Sequence, residues 1–223
     1  MNSKFDRRKA LKLGLGSAGA LLFASPLPKA FASSCGLIPA QTEGPFFPGE
    51  EKFDHNNDLT FSGQTSRPQG QIIYVRGKVQ DERCLPVPGA QIEIWQACGS
   101  GRYNNPADTN TAPLDPNFKY WGEAIADANG DYSFKTIIPG AYPADVDWIR
   151  PPHIHFKVEC RGYHELITQM YFKGNTYNEA DKILRRVPKA LRGSVIVDFV
   201  ESPMGFEVGS KTGIFDITIE SVS

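Results

Sequence analysis

The heptapeptide Arg150-Pro151-Pro152-His153-Ile154-His155-Phe156 carries the densest chemical content of the chain. In a β-strand residues i and i+2 face the same side, so His153 and His155 can offer two imidazoles to one ion while Ile154 turns to the opposite face. Pro151 and Pro152 stiffen the approach and lower the entropy cost of fixing both rings. The same spacing also suits two hydrogen-bonded histidines at a strand end, and two ligands do not complete a metal site. A zinc hydrolase or a two-His-one-carboxylate iron centre would have to borrow a distant ligand, since no third His, Cys-x-x-Cys or carboxylate flanks the pair. Tyrosines are better placed. Tyr142 lies in Pro139-Gly140-Ala141-Tyr142-Pro143, eleven residues before His153, and Tyr103 closes Gly101-Arg102-Tyr103. Each is equally readable as one of eight tyrosines packed with its hydroxyl bonded.

The segments that must hold these side chains read as short strands. Ile73 to Val79 and Ala90 to Gln96 alternate, and Pro86-Val87-Pro88-Gly89 between them reads as a turn, so the two are expected to form a hairpin-like pair. Asp127 to Asp131 contains an Asn-Gly turn opening onto Tyr132, Phe134 and Ile137. Ile154 to Cys160, Leu166 to Phe172, Val195 to Val200 and Ile214 to Ile219 supply four more strands, the last with Phe215, Ile217 and Ile219 on one face. Only Asn178 to Arg192 looks helical, and Pro188 breaks it. The pattern predicts an all-β fold, an antiparallel β-sandwich with long active-site loops. Tyr103 to Tyr120, rich in Asn, Pro and Asp, is the longest of those loops and a natural carrier of function.

With 24 basic and 25 acidic residues among 223, the chain has no global basic field to draw it onto nucleic acid. Lys4, Arg7, Arg8, Lys9 and Lys12 precede an apolar run from Leu13 to Phe23, and Ala30-Phe31-Ala32 follows, the order of a secretory signal. The run is too short for the roughly 20 residues of a membrane span. Arg7-Arg8 with Leu11 and Lys12 resembles the twin-arginine export motif, although Ala10 stands where a bulkier residue is usual. Ala32-Ser33-Ser34-Cys35 also admits a lipoprotein reading. The expected organisation is therefore a signal over 1–32 and one domain over 33–223, located in the periplasm or secreted. Cleavage would remove six of the basic residues and one acidic residue, leaving a net charge of −6. Four Cys in an oxidising compartment allow three disulfide pairings, and spacing does not choose among them.

Ordered blocks along nearly all of residues 33–223 resemble the intradiol ring-cleavage dioxygenases, non-haem ferric enzymes that open catechols between their two hydroxyl-bearing carbons. The blocks are Thr42 to Phe47, Pro86 to Ala90 with Glu93 to Ala97, Gly101 to Tyr103, Asp127 to Tyr132, Thr136 to Gly140, Arg150 to Phe156, and Thr168 to Phe172. The resemblance implies that Tyr103, Tyr142, His153 and His155 ligate Fe(III). Two phenolates are hard anionic donors that favour the ferric state, and two neutral imidazoles leave enough Lewis acidity to bind a catecholate. It further implies that the catechol displaces Tyr142, that O2 is the co-substrate, and that a cis,cis-muconate-type diacid is the product. Arg150 aligns with an arginine that stabilises a carbanion-like substrate, and Gln169 with a residue that hydrogen-bonds near the iron and that arginine.

Among the family the architecture is closest to the protocatechuate 3,4-dioxygenase β-subunit, because the helical N-terminal region of catechol-type members has no counterpart after the expected cleavage site. A homo-oligomer or a partner subunit is expected. Ala144 stands where protocatechuate-type members usually carry Trp, and Cys98 where Asn is expected; both bear on the substrate pocket. Cys84 and Cys160 are expected at strand ends away from the metal and are paired on that basis, leaving Cys35 with Cys98. His55 and His164 belong to no motif and are assigned to the surface. The rival reading is a non-catalytic transthyretin-like β-sandwich module, suggested by Gly77 to Val79, Pro86 to Ala90 and Asp127 to Tyr132; such modules lack the Tyr, Tyr, His-x-His set. A copper-handling protein would need Met or Cys clusters, which three Met and four scattered Cys do not supply.

Overall fold

In a computed structural model, which describes residues 35–48, 56–61, 63 and 66–222, the chain is built almost entirely of strands. In chain order these are β1 (Ile72–Asp81), β2 (Gln91–Trp95), β3 (Trp121–Ile125), β4 (Asp131–Ile137), β5 (Tyr142–Asp145), β6 (Trp148–Arg150), β7 (His153–Glu159), β8 (Leu166–Phe172), β9 (Ile196–Val197), β10 (Phe199–Glu201), β11 (Lys211–Ile214) and β12 (Ile217–Ile219). The signal reading of residues 1–32 and the surface assignment of His55 lie outside the described residues. His164 is exposed.

One sheet sets β1 between β4 and the β11 and β12 strands, with β10 at the edge; the other runs β3-β2-β7-β8-β9. Apolar side chains from the two inner faces meet in one core, where Phe156 of β7 packs 4.9 Å from Phe215 and 6.4 Å from Phe134. Ile154 and Val158 enter that core from β7. Alternation therefore turns His153 and His155 to the outer face of the second sheet, where the N-terminal segment, the 98–120 loop and the β5–β6 hairpin cover them. The β-sandwich expected from the sequence is present. Most pairings are antiparallel, but β11 and β12 pair parallel with β1, and β9 parallel with β8.

Three local expectations are corrected. Strands β1 and β2 are not a hairpin: β1 is flanked on both edges by β4 and by β11 and β12, while β2 pairs β3 and β7 in the other sheet. The returning chain makes only one bridge, Gln80 to Pro86, before it changes sheets. Pro86 and Pro88 lack the amide donors to extend it. The expected helix over 178–192 is three 3-10 turns, Asn178–Ala180, Leu184–Arg186 and Lys189–Ser194. Extended backbone at Asp181 and at Val187, which precedes Pro188, interrupts it. Two expected strands are each split. Val195 to Val200 crosses from β9 in one sheet to β10 in the other, and Ile214 to Ile219 breaks where the Asp216 carboxylate accepts the Lys78 N–H at 2.9 Å in place of a ladder carbonyl.

The disulfide expectation is also overturned. Cys35 pairs with Cys84, and Cys98 and Cys160 are free thiols. The N-terminal segment lies along the turn that follows β1, where the Cys35 N–H donates to Glu82 O at 3.1 Å, so the Cys35 and Cys84 Cα atoms stand 5.2 Å apart. Cys160 reaches the same end of the sandwich but finds Cys84 taken. Cys98 is buried near Tyr103, its sulfur 3.2 Å from Ser100 Oγ.

Candidate metal centre

His153 and His155 open β7 with their rings on one face, centroids 4.9 Å apart. His153 Nδ1 lies 2.7 Å from Pro151 O, an atom that only accepts, so Nδ1 carries the proton and Nε2 presents its lone pair. That Nε2 lies 3.4 Å from Tyr103 Oη. His155 stacks on Trp95, its register partner on β2, at 4.8 Å and 10°.

Two glycines let the tyrosines meet. Gly101 has φ +83°, and a Cβ there would stand 2.4 Å from Ala141 O; a Cβ on Gly140 would stand 2.4 Å from Gly101 N. Only bare backbone permits this approach of the 99–103 loop to the start of β5. Tyr103 and Tyr142 consequently cross edge-to-face at 5.7 Å. The Tyr103 ring lies 6.3 Å from His155 and the Tyr142 ring 5.8 Å from His153. Phe46, from the N-terminal segment, closes over both tyrosines at 4.7 and 6.3 Å. All four side chains are buried.

Arg150 and Gln169 stand beside this cluster. Tyr142 pairs with Arg150 across the β5–β6 hairpin, and Gln169 faces His155 across β7 and β8. The buried guanidinium donates from Nε to Asp181 Oδ1 at 2.9 Å and from NH2 to Gln169 Oε1 at 2.6 Å. Gln169 Nε2 donates to Thr42 O at 2.8 Å, and the Tyr171 hydroxyl donates to Gln169 Oε1 at 3.0 Å. Sequence reasoning missed Asp181, Trp148 and Tyr171. Tyr171 was discoverable, because it faces His153 at the i+2 position from Gln169. Asp181 carried no signal, being one carboxylate in a polar segment.

Without a metal charge, burial and then the Arg150 charge push both imidazoles well below the usual histidine range, which keeps them neutral as ligands must be. Burial raises the Tyr103 phenol well above its ordinary value, with Tyr142 adding to the effect. Burial also raises Tyr142, against the pull of Arg150. A bound cation, as the largest local charge, inverts that preference for the phenols. The residues fit a hard, highly charged ion on two grounds. The donors are two phenol oxygens and two imidazoles. His155 Nδ1 is buried with no hydrogen-bond partner. Among the described residues no three His, Cys, Asp or Glu side chains cluster as a metal site.

A cavity of about 430 Å³ opens from Tyr142 and Arg150. A β-sandwich with this cluster reaching such a cavity through Tyr142 is the frame in which the comparisons with known proteins fall. The chain belongs to the intradiol dioxygenase family: the family model described as Dioxygenase matches residues 42–205, and curated relatives carry the same activity class in their names. It is similar to the protocatechuate 3,4-dioxygenase beta chain of Burkholderia cepacia, 40% identical over 160 residues that cover 70% of this chain and 68% of that one. It is similar also to catechol 1,2-dioxygenase of Candida albicans, 33% identical over 170 residues, 70% of this chain and 52% of that enzyme. The chain thus spans only about half of the latter. Among solved structures, the dioxygenase domain of a dioxygenase carbohydrate-binding protein fusion from Streptomyces sp. SirexAA-E superposes with a TM-score of 0.63 at 26% identity, covering 84% of this chain and all of that one. The family match sets the chain among the dioxygenases and not among the transthyretin-like modules.

Proposed function

We propose that the protein is a non-haem Fe(III) intradiol dioxygenase that inserts both atoms of O2 into a catechol-type diol and yields a cis,cis-muconate-type diacid. The reading rests on one observation: Tyr103, Tyr142, His153 and His155 converge from three separate stretches, and Tyr142 carries the cluster to the wall of a cavity that Arg150 also lines. These four residues would hold the iron, which supplies a Lewis acid able to bind the deprotonated diol. Tyr142 Oη, which burial holds protonated in the absence of a cation and which would become a phenolate on a bound iron, would in that form be the oxygen best placed to take a diol proton. Arg150, held by Asp181 and Gln169, keeps a positive charge beside the ring without giving up a proton. Phe46 packed on Tyr103 and Trp95 stacked on His155 shield the cluster and fix those rings.

Export through the twin-arginine route to the periplasm or beyond belongs to the same proposal. It is supported by the Arg7-Arg8 motif and by the Cys35–Cys84 disulfide, a bond suited to an oxidising compartment.

The purified protein should be red-brown from tyrosinate-to-iron charge transfer, contain one iron per chain, and consume one O2 per catechol opened. His153→Ala should lose most of the iron and the colour while the fold persists by circular dichroism. Unchanged iron content in that variant, or a colourless folded protein that takes up no added iron, would end the proposal.

A further inference from the structure

The cavity beside the centre is lopsided in charge, and this bears on the substituent its substrate carries. From buried Tyr142 and Arg150 it opens outward between the 108–111 loop and the Pro143–Ala144 side of the β5–β6 hairpin, whose outer residues are exposed. Its volume of about 430 Å³ lies in the ~300–1,000 Å³ range of pockets that enclose drug-sized ligands, more than a bare benzenediol fills.

Among the described residues that line it, Arg150 is the only cation. Its charge is already matched by the buried Asp181 carboxylate, which accepts Nε, and its NH2 group donates to Gln169 Oε1. On the opposite wall stands the half-buried Asp108 carboxylate. Its oxygens accept the N–H groups of Tyr103 at 2.7 Å and Asn110 at 2.8 Å, and no described cation forms an ion pair with it. Lys182 lies 5.0 Å from the centroid of the Trp148 ring and does not line the cavity. The rest of the wall is apolar at Phe46, Pro143 and Ile183, and carries the hydroxyl side chains Thr109 and Thr111.

A ring carboxylate entering here would leave water to face Asp108, with the one lining cation already neutralised by Asp181, an arrangement that selects against it. An uncharged group of similar size would lie against the apolar wall with hydroxyls in reach. Building on the dioxygenase reading above, we propose that the cavity selects catechols bearing a bulky uncharged substituent, such as an ester or amide, over catechols bearing a ring carboxylate.

The test compares kcat/KM of the iron-loaded protein for catechol, 3,4-dihydroxybenzoate, its ethyl ester and its N-ethylamide. The ester and amide should exceed the carboxylate by about tenfold or more, the size of discrimination one misplaced charge gives. Raising ionic strength should improve the carboxylate and leave the ester flat, because salt screens Asp108. Ala144→Arg, which adds a cation at the exposed lip, should close most of the gap, whereas Lys182→Ala should leave the ratio unchanged. A carboxylate handled as well as the ester while catechol is opened, or a carboxylate rate that collapses in Lys182→Ala, overturns the selectivity and leaves the activity standing. Failure to open any of the four diols overturns the dioxygenase reading, and the selectivity with it.

Discussion

Arg150 serves the site only as far as its guanidinium is held in place, and Asp181 does the holding. One carboxylate oxygen accepts both Arg150 Nε at 2.9 Å and the Trp148 indole N–H at 3.0 Å; the other accepts the Leu184 N–H at 2.8 Å. Asp181→Asn keeps the shape but removes the charge that anchors the arginine. It is expected to lower kcat by about tenfold to a hundredfold, the range for misplacing one electrostatic stabiliser. Iron content and the visible band should be retained, since Asp181 contacts none of the four candidate ligands. A loss confined to iron content would reassign Asp181 to metal retention. Asp181→Ala leaves a buried guanidinium without its counter-ion, at a cost of about 3–5 kcal/mol, and should yield little folded protein. The sequence disclosed His153 and His155 through strand periodicity, and Tyr103 and Tyr142 through the family blocks around them. Asp181 stayed hidden because its meaning lies in an ion pair across 31 residues, which no local pattern encodes.

At the scale of elements, strands with strict alternation were legible, since one buried face writes period two into the sequence. Partner choice was not. Pro86-Val87-Pro88-Gly89 looks like a hairpin turn, yet the chain there changes sheets, because both edges of β1 are occupied by strands from far along the chain. The same end of β1 carries a testable acid-sensitive device. Asp81 closes β1 with its carboxylate buried. Burial raises its pKa, but the Leu85 N–H together with the Arg83 side chain and N–H outweigh this and hold it below the usual carboxylate range. A carboxyl depressed in the folded state stabilises the protein above its unfolded pKa of about 3.9, and that contribution disappears as pH falls through the lower folded value. Asp81→Asn should therefore lower Tm at pH 7 by several degrees, at about 2–4 °C per kcal/mol for a chain of this size. The gap between variant and wild type should narrow as the pH falls below about 4. A gap of constant size down to pH 2, followed by thermal melts, would show that Asp81 acts through shape alone.

For the molecule as a whole, the candidate site is finished by a segment that belongs to neither sheet. Residues 35–48 carry Gln41, which accepts the Tyr171 hydroxyl at 2.9 Å, Thr42, whose carbonyl accepts Gln169 Nε2, and Phe46, which packs on both tyrosines. One end of that segment is fixed by the Cys35–Cys84 bond to the turn after β1, at the far end of the sandwich from the metal cluster. The bond closes a loop of sequence separation 49, which chain entropy values at about 4 kcal/mol. Reduction, or the double variant Cys35→Ser with Cys84→Ser, should thus lower Tm by roughly 10 °C or somewhat more. Because the freed segment also covers the cluster, the two losses should differ in order. Backbone hydrogen exchange at residues 41–47 and iron release to a chelator should accelerate at temperatures where the sheets are still intact by circular dichroism, since local opening needs less free energy than global unfolding. If iron leaves only at the global transition, then the segment is held by its hydrogen bonds to β8 without help from the disulfide, and the covalent tie contributes to stability but not to the integrity of the site.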